Sequence, residues 1–279
     1  MHILRLNCED KPGIVAAVAG ALAGASCNIE ESAQFFDHLS GQFFMRVVFA
    51  APDEKSLANF ERTFEDVRST YGMNAAITAA DAPLKTLILV SKEDHCLNDL
   101  LYRWRTGHLN IEIAGVASNH ETCRELVESR GLLFHHLPIT PDTKLQQERS
   151  LRVIIEQSGA ELVVLARYMQ IMSEDFCRDY AGRVINIHHS FLPGFKGAKP
   201  YHQAYARGVK IIGATAHFAT LDLDEGPIIE QDTMRVTHAH TPEKMQVLGR
   251  DTESRVLAKA IELYAQRRIF LHGARTIIL

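Results

Sequence analysis

Two short runs, TLILV at 86–90 and LVVLA at 162–166, are apolar on both faces of any strand they form. A surface strand alternates apolar and polar residues, so these two need cover above and below. That need predicts a mostly parallel sheet with helices on both sides. The neighbouring sequence supplies the helices. KTLILVS precedes a helix near 95–105, LNIEIAGVAS precedes HETCRELVESRG, LFHHLPI precedes TKLQQERSLRVIIEQSG, and AELVVLA precedes SEDFCRDYAG. Such alternation predicts a doubly wound α/β unit. KIIGATAHFAT and PIIEQDTMRV read as longer strands, and a last helix is predicted from Thr241 (N-cap) and Pro242 to about Gln266.

The first 80 residues follow a different rhythm. HILRLNC alternates as a strand, and DKPGIVAAVAGALAGA then carries an apolar stripe at Ile14, Val15, Val18 and Leu22. Asp10 is its expected N-cap, with Pro12 in the first turn. NIEESAQFF and QFFMRVVFA read as strands joined by DHLSG. DEKSLANFERTFEDVRSTYG turns Leu57, Phe60, Phe64 and Val67 inward, and MNAAITAA reads as an edge strand. The order is βαββαβ, the split pattern of ferredoxin-like units. AADAPLK (79–85) reads as a linker, so domains are expected at 1–82 and 83–279.

Composition removes several function classes. A formal net charge of −4 argues against a nucleic-acid surface, which needs clustered cations. No apolar run approaches the ~20 residues of a membrane span, and MHILRLNCEDKPG lacks a basic-then-apolar leader layout. Five scattered cysteines without a CxxC pair predict free thiols in a reducing cytoplasm.

The chemistry is concentrated in VINIHHSFLPGFKGAKPYHQA, 184–204. Asn186 and His188 are two apart, so on a strand they share a face, while His189 projects oppositely. They fall at the carboxyl end of a strand, where open α/β sheets bind ligands. An amide beside an imidazole suits a carbonyl oxygen that becomes negative during attack. Downstream, HFATLDLDEGPI offers His217 at a strand end, with Asp222 and Asp224 on the loop. A carboxylate near His188 would hold and orient its imidazolium. His188, His189, His217, Asp222 and Asp224 are also legitimate zinc ligands. Adjacent histidines on a strand point apart, however, and no HxH or HExxH spacing is present, so no metal is expected.

The segment DKPGIVAAVAGALAGASCNIEES resembles ACT domains, through Pro12-Gly13 and through Asn28-Ile29 at the entry to the second strand. That resemblance implies an amino-acid effector, glycine or methionine, near Gly13, Ile14, Val15, Asn28 and Ile29. Exposed sheet edges and faces in so small a unit also predict a homo-oligomer formed through it. The stretch from LARYMQIMSEDF to LDLDEGPIIEQ is similar to the folate-dependent formyltransferases, over roughly 85–270. The resemblance implies Asn186, His188 and Asp224 as catalytic residues and His217 in support. It implies folate contacts at Leu165, Gln170, Ile171 and Met172 and along Ala219, Thr220, Leu221, Asp222 and Leu223. Two positions depart from the ribonucleotide transferases: Gln170 stands where Arg is frequent, and His189 where Pro follows the catalytic His.

A phosphorylated amine acceptor is usually cradled by a Gly-rich loop after the first strand. Here VSKEDHCLNDLLYRW has no glycine and carries Glu93 and Asp94, which would repel phosphate. With an ACT-like unit ahead of it, the whole chain resembles the formyltetrahydrofolate deformylases. That resemblance implies metal-free hydrolysis of 10-formyltetrahydrofolate to formate and tetrahydrofolate, supplying formate for purine synthesis, with no cofactor beyond the folate substrate. The alternatives are a phosphoribosylglycinamide formyltransferase and a non-catalytic folate or amino-acid sensor.

Overall fold

Strand β1 (His2–Glu9) pairs antiparallel on one side with β3 (Gln42–Ala50) and on the other with β4 (Asn74–Ala79). β2 (Asn28–Asp37) adds to β3, giving the order β2-β3-β1-β4. The structure is a computed structural model that describes residues 1–140, 142–194 and 200–279. Helices α1 (Ile14–Gly24) and α2 (Glu54–Tyr71) bury one face of this sheet. Leu4 and Leu6 of β1 and Met45, Val47 and Phe49 of β3 meet Val18, Leu22, Phe60 and Phe64 there. The strand and helix order is the expected βαββαβ. Helix α1, however, starts after Gly13 and not after Asp10. Gly13 sits at φ 94°, a left-handed conformation that glycine adopts freely, and a Cβ there would lie 2.8 Å from the Tyr71 hydroxyl.

β3 is buried on both faces. The second face of this unit is covered from the far end of the chain. Phe44 packs edge-on against Phe270, at 5.6 Å between ring centroids, and Leu279 joins them. Arg46 donates from Nε to the Gln266 carbonyl and from Nη1 to Glu31. The first compact unit therefore comprises 1–82 together with 266–270 and 277–279, and the second comprises 83–265 with 271–276. The expected assignment of all of 83–279 to the second unit fails at its tail. The cause is a C-terminal hairpin, β12 (Ile269–His272) with β13 (Arg275–Ile278), which carried no strand signal strong enough to be read from sequence.

The second unit is built on seven strands. β5 (Leu84–Val90), β6 (Ile111–Ser118), β7 (Phe134–His136), β8 (Leu162–Leu165) and β9 (Val184–His188) are parallel; β10 (Ile211–Phe218) is antiparallel to β9, and β11 (Ile228–Arg235) is antiparallel to β10. The order is β11-β10-β9-β8-β5-β6-β7. Every residue of β8 is buried, as its continuous apolar run requires. Helices α3 (His95–Arg105), α4 (Arg124–Glu128), α5 (Lys144–Ser158), α6 (Glu174–Asp179), α7 (Pro200–Ala206) and α8 (Pro242–Ala265) complete the unit. α5 and α6 bury Leu151, Ile155 and Phe176 against Leu87, Leu89 and Val163. The chain leaves β5 toward β6 and β7, then returns to lay β8 on its other side. That reversal opens a crevice at the carboxyl ends of β5 and β8, where such sheets bind ligands. No helix among the described residues is long and apolar enough to cross a membrane.

Candidate active site

Asn186 and His188 alternate at the end of β9 and share a face. Pairing with β10 sets His217 opposite Asn186. A bulge in the β10–β11 ladder falls between Ala216 and His217, a device that re-aims a side chain. The chain then enters the loop 219–226. Ala219 N donates to the Val184 carbonyl and Thr220 Oγ1 to the Asp222 carbonyl. Asp224 sits at φ 59°, a left-handed conformation that Asp tolerates better than most side chains. From there its Oδ1 accepts from His188 Nδ1 at 3.0 Å and lies 3.9 Å from His217 Nε2.

The hydrogen bonds fix the proton positions. His217 Nδ1 lies 2.9 Å from the Phe218 carbonyl, which can only accept, so Nδ1 carries the hydrogen. Burial lowers the His217 pKa more than the Phe218 carbonyl and the Asp224 charge raise it, so the ring is neutral and its Nε2 accepts. Asn186 Nδ2 donates to it at 3.1 Å. This assignment leaves the second amide hydrogen of Asn186 as a donor. Burial alone would raise the Asp224 pKa, but the His188 hydrogen bond and the neighbouring imidazoles lower it below the usual range. Asp224 is therefore a carboxylate. His188 Nε2 is buried and has no partner among the described residues.

These four groups share a cavity of about 380 Å³. Its other walls include Leu165, Gln170, Ile171 and Met172 from the segment after β8, and Ala219, Thr220, Leu221 and Leu223 from the loop. Asp222, expected among the ligand contacts, is not on this wall; its carbonyl accepts the Thr220 hydroxyl instead. Met169, Ile171, Leu221 and Leu223 are 60 %, 57 %, 56 % and 53 % exposed. Two apolar loops left open beside a polar floor mark a groove for a ligand with a broad apolar surface. The effector candidates lie in the other unit: Gly13, Ile14 and Val15 open α1, and Asn28 and Ile29 open β2. Ile14 is buried, whereas Val15 and Ile29 are exposed.

The sequence reading missed Arg167, which also lines the cavity. A charged residue directly after the apolar run LVVLA is the same kind of signal that drew attention to Asn186. Arg167 Nη2 and Nε donate to Glu93 Oε2 at 2.8 and 3.1 Å. Glu253 Oε2 lies 3.4 Å from Arg167 Nε and 2.9 Å from His95 Nε2, and Glu253 Oε1 accepts from Tyr201 at 2.8 Å. Gln246 and Arg250 approach the other oxygen of Glu93. Glu93 was expected to repel phosphate. The structure shows its charge matched by Arg167 and Arg250. Asp94 accepts from Asn98.

His95, Cys96 and Glu253 bring possible metal-ligand atoms within 4.8 Å of one another, a trio outside the zinc candidates chosen from sequence. Burial pushes the Cys96 thiol pKa far up, so it stays protonated, and Glu253 is already engaged by three side chains. A protonated thiol beside a guanidinium makes a poor cation site.

His189 lies past the end of β9, where strand alternation lapses, and lines this cavity and a second one. Burial and then the Arg167 charge push its pKa down to about 4. An unfolded His titrates near 6.5. Between these values the unfolded chain binds a proton that the folded chain refuses, so stability is full above pH 6.5 and falls toward pH 4. Thermal unfolding measured from pH 7.5 to 4 should show this slope, and His189→Gln should make it shallower.

Two family profiles match the chain: ACT domain over residues 2–66 and Formyl transferase over 84–261. The formyltetrahydrofolate deformylase of Corynebacterium sp. (strain P-1) is 47 % identical over 279 residues, covering 100 % of this chain and 98 % of that protein. The crystal structure of formyltetrahydrofolate deformylase from Burkholderia mallei ATCC 23344 matches with a TM-score of 0.95 at 51 % identity, covering 100 % and 99 % of the two chains. Glycinamide ribonucleotide transformylase 1 from Symbiobacterium toebii matches with a TM-score of 0.67 at 30 % identity, over 71 % of this chain and 95 % of that one.

Proposed function

This chain belongs to the formyltetrahydrofolate deformylase family, and from that premise we infer that it hydrolyses 10-formyltetrahydrofolate to formate and tetrahydrofolate. The observation that carries the reading is the grouping of Asn186, His188 and Asp224 in one cavity that Arg167, ion-paired with Glu93, also lines. Asn186 holds the formyl oxygen with its free amide hydrogen. His188 donates from Nε2 to the same oxygen as it becomes negative. The Asp224 carboxylate orients His188, takes a proton from the attacking water and passes it toward N10 as the C–N bond breaks. His217 fixes the amide of Asn186. The pterin ring lies between the 169–172 segment and the 219–223 loop. No step draws on a metal or on a cofactor beyond the folate substrate.

The assay that tests this reading mixes protein with 10-formyltetrahydrofolate, with and without glycinamide ribonucleotide, and follows formate. The expected result is formate at the same rate in both. Formylated amine without formate would instead establish a transferase. In the ACT unit, an amino acid binds where α1 and β2 begin, and copies of the chain associate through this unit's exposed strands. Calorimetry of the full chain with glycine and with methionine is expected to give a saturable signal for one of them. Silence with both would restrict the unit to association.

A further inference from the structure

We propose that Arg167 is a catalytic residue whose Nη1 donates a hydrogen bond to the water-derived oxygen of the tetrahedral adduct; this rests on the hydrolytic reading above. Arg167 lines the cavity that holds His188 and Asp224. Its side chain is only 9 % exposed, yet Nη1 has no partner among the described residues. A buried donor of this kind needs an oxygen from ligand or solvent, because leaving it unmatched is costly.

The guanidinium is held so that only this nitrogen is free. Nε and Nη2 are spent on Glu93, and Glu253 flanks Nε. A planar fork fixed along one edge has its remaining N–H directions set. The backbone contributes too: Arg167 stands at φ 63° and its carbonyl accepts from Ser91 N. Glu253 is itself fixed by His95 and Tyr201. Two carboxylates and two guanidiniums, Arg167 and Arg250, balance in charge. The free Nη1 thus acts as a neutralised donor suited to a hydroxyl oxygen, with little pull on phosphate or other free anions.

Hydrolysis calls for such a donor where amine transfer does not. Attack by an amine gives an adduct with one oxygen; attack by water gives one with two. Water forms its bond to the formyl carbon as Asp224 takes one of its protons, and the carbonyl π pair moves to the formyl oxygen. Asn186 and His188 serve that oxygen. Arg167 Nη1 serves the new hydroxyl. Protonation of N10 by Asp224 then lets the C–N bond break, its electron pair leaving with nitrogen, and the products are tetrahydrofolate and formic acid, which ionises to formate.

The test uses the full chain carrying Arg167→Gln with Glu93→Gln, which keeps the local charge balanced, and separately Arg167→Lys, which keeps the cation but loses the fork. Each is assayed with 10-formyltetrahydrofolate in the presence of hydroxylamine, reading formate against formohydroxamate. The expected result is an unchanged Kd for tetrahydrofolate, formate release about 100-fold slower, and product partition shifted at least tenfold toward formohydroxamate. Formate release within threefold of the unmodified chain overturns the proposal. So does a loss shared equally by water and hydroxylamine, which marks a structural role. An unmodified chain that releases no formate overturns the hydrolytic reading itself, a distinct outcome.

Discussion

His188→Ala is expected to lower formate release by about 10²- to 10⁴-fold while the affinity for tetrahydrofolate stays unchanged. The ring is the one group that joins the carboxylate to the reacting oxygen. Nδ1 is committed to Asp224 at 3.0 Å, and Nε2 is buried without a partner. Alanine removes the donor to the oxyanion and leaves Asp224, whose side chain is only 8 % exposed, without its imidazole partner. Asp224→Asn tests the other half. It keeps the shape and a hydrogen-bonding oxygen but cannot take a proton, so turnover should fall to a similar extent. Asn186→Ala should cost about 10²- to 10³-fold, the usual loss for one oxyanion donor. Steady-state kinetics with a separate binding measurement checks all three. If His188→Ala keeps a tenth of the turnover, the ring has no place in the chemistry.

Gly226→Ala is expected to abolish turnover and lower the melting temperature, although residue 226 touches no reacting atom. A Cβ there would lie 1.7 Å from the Phe218 carbonyl oxygen and 3.2 Å from His217 Nδ1. That carbonyl is the acceptor that fixes the His217 tautomer, and through it the amide of Asn186. Backbone oxygen cannot move aside as a flexible side-chain tip can. The end of β10 and the Asp224 loop must therefore separate, at a cost of about 1–3 kcal/mol for an overpacked site. Calorimetric melting and formate assays on one preparation read both effects. A fully active, equally stable Gly226→Ala chain would show that the loop adapts freely.

Much of the second unit was legible because its signals are local. Continuous apolar runs such as LVVLA announce strands buried on both faces, and N-x-H at a strand end announces an amide and an imidazole on one side. The Asp224 loop was legible as turn chemistry. What escaped depends on pairing across the sequence. The bulge beside His217 exists only in the ladder with β11. Glu93 looked like a bare anion in SKEDHC because its partners, Arg167, Gln246 and Arg250, lie 74 to 157 positions away. The burial of Phe44 and Arg46 depends likewise on residues past 265. Asp10 failed as an N-cap because the left-handed turn at Gly13 starts the helix later.

The tail that closes over Phe44 has a consequence for biosynthesis. A ribosome makes β3 early, but the cover for its second face consists of residues 266–270 and 277–279. Until residues 266–279 have been made, the N-terminal sheet carries an open apolar face. Domains made first usually finish folding first. Here the first segment to emerge cannot mature until residues 266–279 have followed it, and a nascent chain stalled short of residue 266 would expose that surface to chaperones and to aggregation.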